Sequence, residues 1–333
     1  MSPDARILLA LRQADRPLTV SELASTVGLT VDELAFRIDG LAAAGYQIPL
    51  VPHQGYRLLA APDRMIADDV VARLAIERSG VVIGREVLVF EETSSTNDVV
   101  ARLAREGAGE GVVVFAERQT AGRGRLGRRW ASAAHEGLWF SLLVRPASVG
   151  LEVSDWSRLT TWVAVAVARG IEAAVPGLRV AIKWPNDLYL AGRKAVGVLI
   201  ESVAGRDGFA IVGIGINVNQ LEFPPELAGK ATSLRLQQEG CAPIDRQEVA
   251  VRVLACLDAL YGELGTGFSS IVAEAERRSL LIGQWIEVHY PHRQVRGEAL
   301  GLEPDGSLRL RAEDGAVYTI SGGEVSVATW GLR

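Results

Sequence analysis

Lysine is almost missing from this chain. Among 35 basic residues only Lys183, Lys194 and Lys230 are lysines, and arginine serves everywhere else. Cysteine is scarce too. Cys241 and Cys256 show neither a CxxC pair nor metal-ligand spacing, which with four scattered histidines argues against a structural zinc site. The most apolar helical stretch, 162–168, falls far short of the ~20 residues that span a bilayer. The start, Met-Ser-Pro-Asp, lacks the basic and apolar regions of a signal peptide. Together these absences read as a cytoplasmic protein of a reducing compartment, with no membrane contact. Excess positive charge is lacking as well. A net charge of −5 and an isoelectric point near 5.6 argue against a general polyanion binder.

What is present begins with core-forming capacity. Hydrophobic residues make up 48% of 333, ample for two or three domains of the usual ~100–200 residues. Positive charge is local. From Arg118 to Trp130 there is no acid, but five arginines and three glycines, centred on Gly122-Arg123-Gly124-Arg125-Leu126-Gly127-Arg128. Ordering such a loop costs backbone entropy and charge repulsion. The cost makes sense if the loop closes over an anion, since glycines allow close approach and guanidinium forks bind oxyanions bidentately. The alternative is a solvated, nucleic-acid-binding arginine tract. Apolar runs at 111–116 and 137–144 predict strands on either side, which favours a site loop. Lys183 and Lys194 flank the segment Trp184-Pro185-Asn186-Asp187. A compact ammonium is not interchangeable with guanidinium at a tight anion site, so these lysines are candidates for chemistry. Chance clustering of surface cations is the competing explanation.

The pattern predicts an α+β, multidomain chain. Residues 1–62 read as a winged helix-turn-helix: helices at 6–13, 19–27 and 31–43, then a hairpin of 48–51 and 56–59. Thr30 is the expected N-cap of the third helix. As a DNA-binding module this unit would use Ser21, Thr30, Arg37 and Arg57. Its charge points elsewhere. To residue 60 there are five arginines and six acids, and the third helix carries Asp32, Glu33 and Asp39 against Arg37 alone. A protein-contact module is the other reading. Residues 65–277 form a large domain with helices at 68–78, 156–175 and 246–264, another ending at 105, and strands at 87–91, 111–116, 138–144, 180–184, 195–202 and 209–218. Helices are expected on one side of the sheet. A hairpin at Ala191-Gly192 joining 180–184 to 195–202 would place Lys183 and Lys194 on one face. Residues 281–333 carry five short strands, at 285–290, 296–303, 308–312, 317–320 and 325–328. Their Asp305-Gly306 and Asp314-Gly315 turns point to an SH3-like barrel.

Five motifs then occur in order: Ser-Ser-Thr-Asn at 94–97, the glycine–arginine loop at 122–128, Lys-Trp-Pro-Asn-Asp-Leu at 183–188, Arg193-Lys194 with Gly197, and Gly-Ile-Gly-Ile-Asn at 213–217. Jointly they resemble biotin protein ligases, the biotin–[acetyl-CoA-carboxylase] ligases, whose bifunctional subgroup carries a winged helix and represses the biotin operon. The resemblance implies a central mixed-sheet domain of the class II synthetase/biotin–lipoate ligase type. It implies ATP-dependent conversion of biotin to biotinyl-5′-AMP, with Mg²⁺, then transfer to a lysine of the biotin carboxyl carrier domain of acetyl-CoA carboxylase. Joining two anions needs preorganised cations and donors.

By this resemblance Ser95, Thr96, Asn97 and Gln119 hold biotin. Gly122, Arg123, Gly124 and Arg125 close over its tail and the phosphate. Lys194 meets the carboxylate and α-phosphate; Lys183, Asn186 and Asp187 serve the nucleotide, Asp187 also the magnesium ion. Arg128 meets phosphates, Trp130 packs over adenine, Gly213 and Gly215 admit ligand, and Asn217 is a polar nucleotide partner. Arg125, Lys183 and Lys194 form the implied catalytic set. Read only as structure, Ser95 or Asn97 caps a helix, Trp130 is core, and Asp187 pairs with Lys194 or Arg193. A lipoate or octanoate ligase and a ligand-sensing transcription factor are the competing functions. Intact Arg125, Lys183, Asp187 and Lys194 argue against a dead enzyme. Operator binding would require a homodimer when ligand is bound. Val31-Asp32-Glu33 departs from the basic and small polar residues of family repressors.

Overall fold

The computed structural model describes residues 1–78, 80–203, 208–290 and 293–327. The chain opens with α1 (Pro3–Gln13), α2 (Val20–Val27) and α3 (Val31–Ala43), followed by the hairpin β1 (Leu50–Val51) and β2 (Gly55–Tyr56). Thr19 and Thr30 start their helices with capping boxes completed by Glu22 and Glu33. Gly55 adopts φ +116, and a Cβ there would lie 1.9 Å from the Leu18 carbonyl oxygen, so only glycine closes this hairpin. Ile7, Leu8, Leu23, Leu34, Ile38 and Leu41 form a separate core. Next, α4 (Ala67–Glu77) ties this unit to the rest: α1 packs on it, and Arg12 forks onto Asp69 through two 2.8 Å bonds.

The central unit contains β3 (Glu86–Thr93), α5 (Thr96–Arg105), β4 (Val112–Gln119), β5 (Gly137–Val144), α6 (Arg158–Ala174), β6 (Ala181–Lys183), β7 (Asp187–Leu190), β8 (Arg193–Val203), β9 (Phe209–Asn217), α7 (Leu234–Gln237), α8 (Arg246–Tyr261) and α9 (Phe268–Arg277). Seven strands form one mixed sheet in the order β3-β4-β5-β9-β8-β7-β6, with only β3 and β4 parallel. α6 is apolar almost all round and lies against α8 and α9 over one face.

The expectation of helices on one side is corrected, because α5 covers the other face, over Val112, Val114, Leu143 and Ile211. The expected hairpin is also corrected. Asp187–Leu190 forms an additional strand, so Ala191-Gly192 joins β7 to β8, and β6 lies one strand further out. α9 was not anticipated, although Phe268, Ile271, Val272 and Ala275 carry the helical spacing.

The chain ends in β10 (Trp285–His289), β11 (Gln294–Leu302), β12 (Leu308–Ala312), β13 (Val317–Ile320) and β14 (Glu324–Val327). They form an antiparallel sheet in the order β13-β12-β11-β10-β14. The expected end of the last strand, and residues 328–333, lie outside the described residues. Trp184 of the central unit is buried among Leu281, Ile286, Leu308 and Val325, and its indole N–H donates to the Gly306 carbonyl at 3.0 Å. The lysine segment is thereby anchored to the last sheet at Trp184. Among the described residues no helix is long and apolar enough to cross a membrane.

Candidate functional site

The face under α5 changes character along the strands. Leu143 and Ile211 fill it beneath the helix, whereas two residues on, Ser141 faces Gly213, and then Trp139 faces Gly215. The small residues Ser141, Gly213 and Gly215 where α5 begins leave room for a cavity of about 470 Å³, within the range of small-molecule sites.

Its inner end is a polar cluster. Gln119 Oε1 accepts the Thr96 backbone N–H at 2.9 Å, and Gln119 Nε2 donates to Ser132 Oγ at 3.0 Å. The Thr96 and Ser141 hydroxyls are 2.6 Å apart. Ser141 donates to Asn97 Oδ1, and Asn97 Nδ2 donates to Glu201 Oε2 at 2.6 Å. Ser95 occupies the N-cap position of α5, yet no side chain caps the helix; Ser95 lines the cavity instead. Ser141, Ser132 and Glu201 lie outside the sequence motifs and carried no signal of their own.

Gly213 and Gly215 were expected to admit ligand. Gly213 lines the cavity, and both glycines also make room for protein side chains: a Cβ at Gly213 would lie 2.3 Å from Asn97 Oδ1, and at Gly215 2.5 Å from Trp130 Nε1. Gly197 does the same, 2.6 Å from the Trp130 ring. Trp130 thus lies across the two strands, edge-on to Trp139 at 6.3 Å, with Lys194 Nζ 5.4 Å from its ring centroid.

The arginine loop is a small hairpin. Arg123 and Arg129 form an antiparallel bridge, Gly124 N–H donates to the Arg128 carbonyl at 2.7 Å, and Trp130 N–H to the Gly122 carbonyl at 2.9 Å. At its tip Leu126 has φ 56 and is 73% exposed. Each of three arginines has a protein acceptor. Arg123 forks onto Asp98 at 2.9 and 2.7 Å and reaches Glu201 at 3.5 Å. Arg125 donates to Asn186 Oδ1 at 2.7 Å and to the Gly323 carbonyl at 3.2 Å. Arg128 pairs with Glu324. The Arg123 hydrogen bond holds the Asp98 carboxyl below the usual carboxylate range, and Arg128 does the same for Glu324. Asp98, Glu201 and Glu324 come from three different elements, so no local spacing could reveal them.

On the other side, strand register puts the lysine face together. Lys183 pairs with Asp187, and Tyr189 with Lys194, so these four side chains share one face. Lys194 Nζ lies 2.7 Å from Asp187 Oδ1, and Lys183 Nζ 5.8 Å from the Tyr189 ring centroid. Burial, helped by Asp187, pushes the Tyr189 hydroxyl above its ordinary range. Asn186 Nδ2 is held by the Val198 carbonyl at 2.8 Å, which leaves its oxygen to Arg125. Asn217 is 6% exposed and donates to the Thr232 carbonyl at 3.0 Å while lining the cavity. Lys230 lines it too, so all three lysines of the chain border one cavity. Lys230 was missed because it lies 36 residues beyond Lys194 in sequence; its carbonyl accepts the Lys194 backbone N–H at 2.9 Å. Among the described residues no group of three or more His, Cys, Asp or Glu side chains is placed to hold a metal ion. Asp187, expected as a magnesium ligand, is engaged with Lys194.

The N-terminal unit places the expected DNA contacts differently. The Thr30 hydroxyl is committed to its capping box, donating to Glu33 Oε2 at 2.8 Å and accepting the Glu33 N–H at 3.2 Å. Arg37 lies 3.6 Å from Asp4, while Ser21 and Arg57 are exposed. The outer face of α3 presents Val31, Asp32, Glu33, Asp39 and a 75% exposed Phe36.

Comparison with known proteins follows the same division. The model of the biotin/lipoate A/B protein ligase family matches residues 89–219, and that of the biotin protein ligase C-terminal domain matches 281–327. The chain is 38% identical over 283 residues to the bifunctional ligase/repressor BirA of Bacillus subtilis, covering 84% of each. It is 36% identical to the biotin–[acetyl-CoA-carboxylase] ligase of Mycobacterium tuberculosis, over 72% of this chain and 88% of that protein. Among solved structures, the biotin protein ligase from Aquifex aeolicus in complex with biotin and ATP superposes with a TM-score of 0.64 at 31% identity. That match covers 73% of this chain and 99% of the other.

Proposed function

The chain belongs to the biotin protein ligase family, and from that premise we propose how its cavity performs the reaction. Biotin's carboxylate attacks the α-phosphorus of ATP and pyrophosphate leaves. The ε-amine of a carrier-domain lysine then attacks the acyl carbonyl of biotinyl-5′-AMP and AMP leaves. The carrier is the biotin carboxyl carrier domain of acetyl-CoA carboxylase. One observation carries this reading: every lysine of an otherwise arginine-based chain borders the same cavity as Arg125 and Arg128. Two anions meeting in a site need this charge preorganised, because mobile solvent supplies it at a reorganisation cost.

The polar cluster of Ser95, Thr96, Asn97 and Gln119 has the donors and acceptors for a cyclic urea. Gly122 and Gly124 offer backbone to the acyl tail. Lys194 would meet the carboxylate and the α-phosphate, Lys183, Arg125, Arg128, Asn186 and Asn217 would serve the nucleotide, and Trp130 would pack on the adenine. Magnesium fits as an ion carried in by the nucleotide, since Mg²⁺ is commonly held by one or two carboxylates plus substrate phosphates. Asp187 would hold the ion by giving up its 2.7 Å pairing with Lys194, and the bound ion would neutralise phosphate charge.

Three domains organise the work: a winged helix in 1–62, the ligase domain in 65–277 and an SH3-like domain in 281–333. Glu324 and the Gly323 carbonyl bring the last domain to the rim of the cavity. Biotin-dependent exchange of pyrophosphate into ATP tests the reading, with lipoate and octanoate in parallel. Exchange with biotin alone supports it; exchange with lipoate or octanoate instead sinks it.

Two readings of the winged helix follow. Relatives that pair ligase with repressor favour a biotin-responsive repressor acting as a homodimer on operator DNA. The acidic face of α3 favours a ligase without operator binding, because a helix entering a phosphate-lined groove needs net positive charge. Titrating the loaded chain against its own upstream DNA decides: a salt-steep, sequence-specific isotherm supports the first reading, and none supports the second.

A further inference from the structure

We propose that Arg123 is the fastening of the glycine–arginine loop rather than a phosphate ligand, and that Asp98 and Glu201 are the positioning residues that hold it. The inference rests on the ligase reading for its consequence, but its geometry stands alone. Arg123 takes Asp98 as a two-pronged partner at 2.9 and 2.7 Å, with Glu201 Oε2 behind it at 3.5 Å. A guanidinium held by a matched fork is oriented as well as neutralised. Two carboxylates against one cation leave the place net negative, so an incoming phosphate would meet repulsion there. Arg125 contrasts with it: its acceptors are the neutral Asn186 Oδ1 and Gly323 carbonyl, so its positive charge remains for an anion.

The clamp connects three parts. Asp98 lies in the first turn of α5, and Glu201 near the end of β8. Glu201 Oε2 also receives Asn97 Nδ2 at 2.6 Å, so the same carboxylate oxygen binds the polar end of the cavity and the loop. With the Arg123 side chain tied to Asp98, Arg123, Gly124 and Arg125 line the cavity, while the Gly122 carbonyl accepts the Trp130 N–H behind them. These groups are partly exposed, at 37% for Arg123, 49% for Asp98 and 43% for Glu201. Such a pair is modest and screened by salt, which suits a closure that must open every turnover.

Chymotryptic cleavage after the exposed Leu126 reads the loop in the full, ligand-free chain. Asp98→Asn should be cut roughly five-fold faster than the parent, an effect sized by an exposed ion pair. Glu201→Gln should shift it in the same direction. The charge-swapped pair Asp98→Arg with Arg123→Asp should return the rate close to the parental one. Raising salt should speed cleavage of the parent but not of Asp98→Asn. In the biotin reaction Asp98→Asn should label bystander proteins several-fold more, and the swapped pair should reverse it. Parental cleavage of Asp98→Asn, or a swapped pair cut as fast as Asp98→Asn, overturns the clamp. Absence of any biotin-dependent exchange in the parent would defeat the ligase reading instead, while the cleavage rates still judge the clamp.

Discussion

Gly213 is a space reserved for the amide of Asn97. An added methyl would lie 2.3 Å from Asn97 Oδ1, in a cluster where Asn97 already holds Ser141 and Glu201. Overpacking of this kind costs about 1–3 kcal/mol. Gly213→Ala should therefore raise the biotin dissociation constant by roughly ten-fold or more, measured by calorimetry on protein that remains folded. Unchanged affinity would show that Asn97 has room to move. Arg125 is the loop cation with neutral partners, and it bridges the lysine segment and the C-terminal sheet. Without it the loop loses both its charge over the anion and its tether. Arg125→Gly should release the reactive adenylate and label proteins lacking a carrier domain, by roughly ten-fold over the parent, the scale of a lost charge-assisted bond. Parental selectivity in a mixed-protein labelling assay would contradict this.

Helix starts show what an element's own sequence can and cannot decide. Thr19 with Glu22 and Thr30 with Glu33 satisfy their helices locally, and α3 begins where Thr30 predicts. Thr30→Ala should lower stability by about 1 kcal/mol in urea unfolding monitored on the N-terminal unit; no change would mean Glu33 alone suffices. α5 has no such cap. Its first residues, Thr96 and Asn97, turn to Gln119, Ser141 and Glu201, which belong to other elements. Local capping logic, applied to Ser-Thr-Asn, pointed to a helix start and found one, but the side chains serve the cavity.

At the scale of the molecule, buried charge joins the parts. Arg246, 1% exposed, forks onto Glu117 from α8 to β4 while also reaching Asp63, and Glu117 accepts the Met65 N–H at 2.6 Å. Arg73 links Asp69 of α4 to Asp245 at the cap of α8. Burial alone would raise the Glu117 carboxyl, but hydrogen bonding to Arg246 and Met65 holds it below the ordinary glutamate value of 4.5. Arginine partners likewise hold Glu172 and Glu274 low. A depressed folded-state value contributes stability above the unfolded value and loses it as pH falls through the folded one. Urea midpoints should thus be flat near neutrality and drop from about pH 4.5 downward. Glu117→Gln should weaken this acid dependence and cost about 3–5 kcal/mol at pH 7, because Arg246 is left buried without its countercharge. An unchanged midpoint for that variant would show that Arg246 finds another partner.

By itself the sequence determined most of the helices and strands and their order, though not β7 or α9, and it singled out the glycine–arginine loop and the lysine segment as candidates. Those follow from periodicity and short motifs, which act over a few residues and need no distant partner. Only the tertiary structure decided which face of the sheet the cavity opens on, that β7 lies between Lys183 and Lys194, and that Lys230 joins them. It also decided that Gly197, Gly213 and Gly215 make room for Trp130 and Asn97, and that Asp98, Glu201 and Glu324 answer the loop arginines. Those carboxylates stand 25, 78 and 196 residues from the arginines they meet. Attraction between charges depends on distance in space, and spacing along the chain carries no record of it.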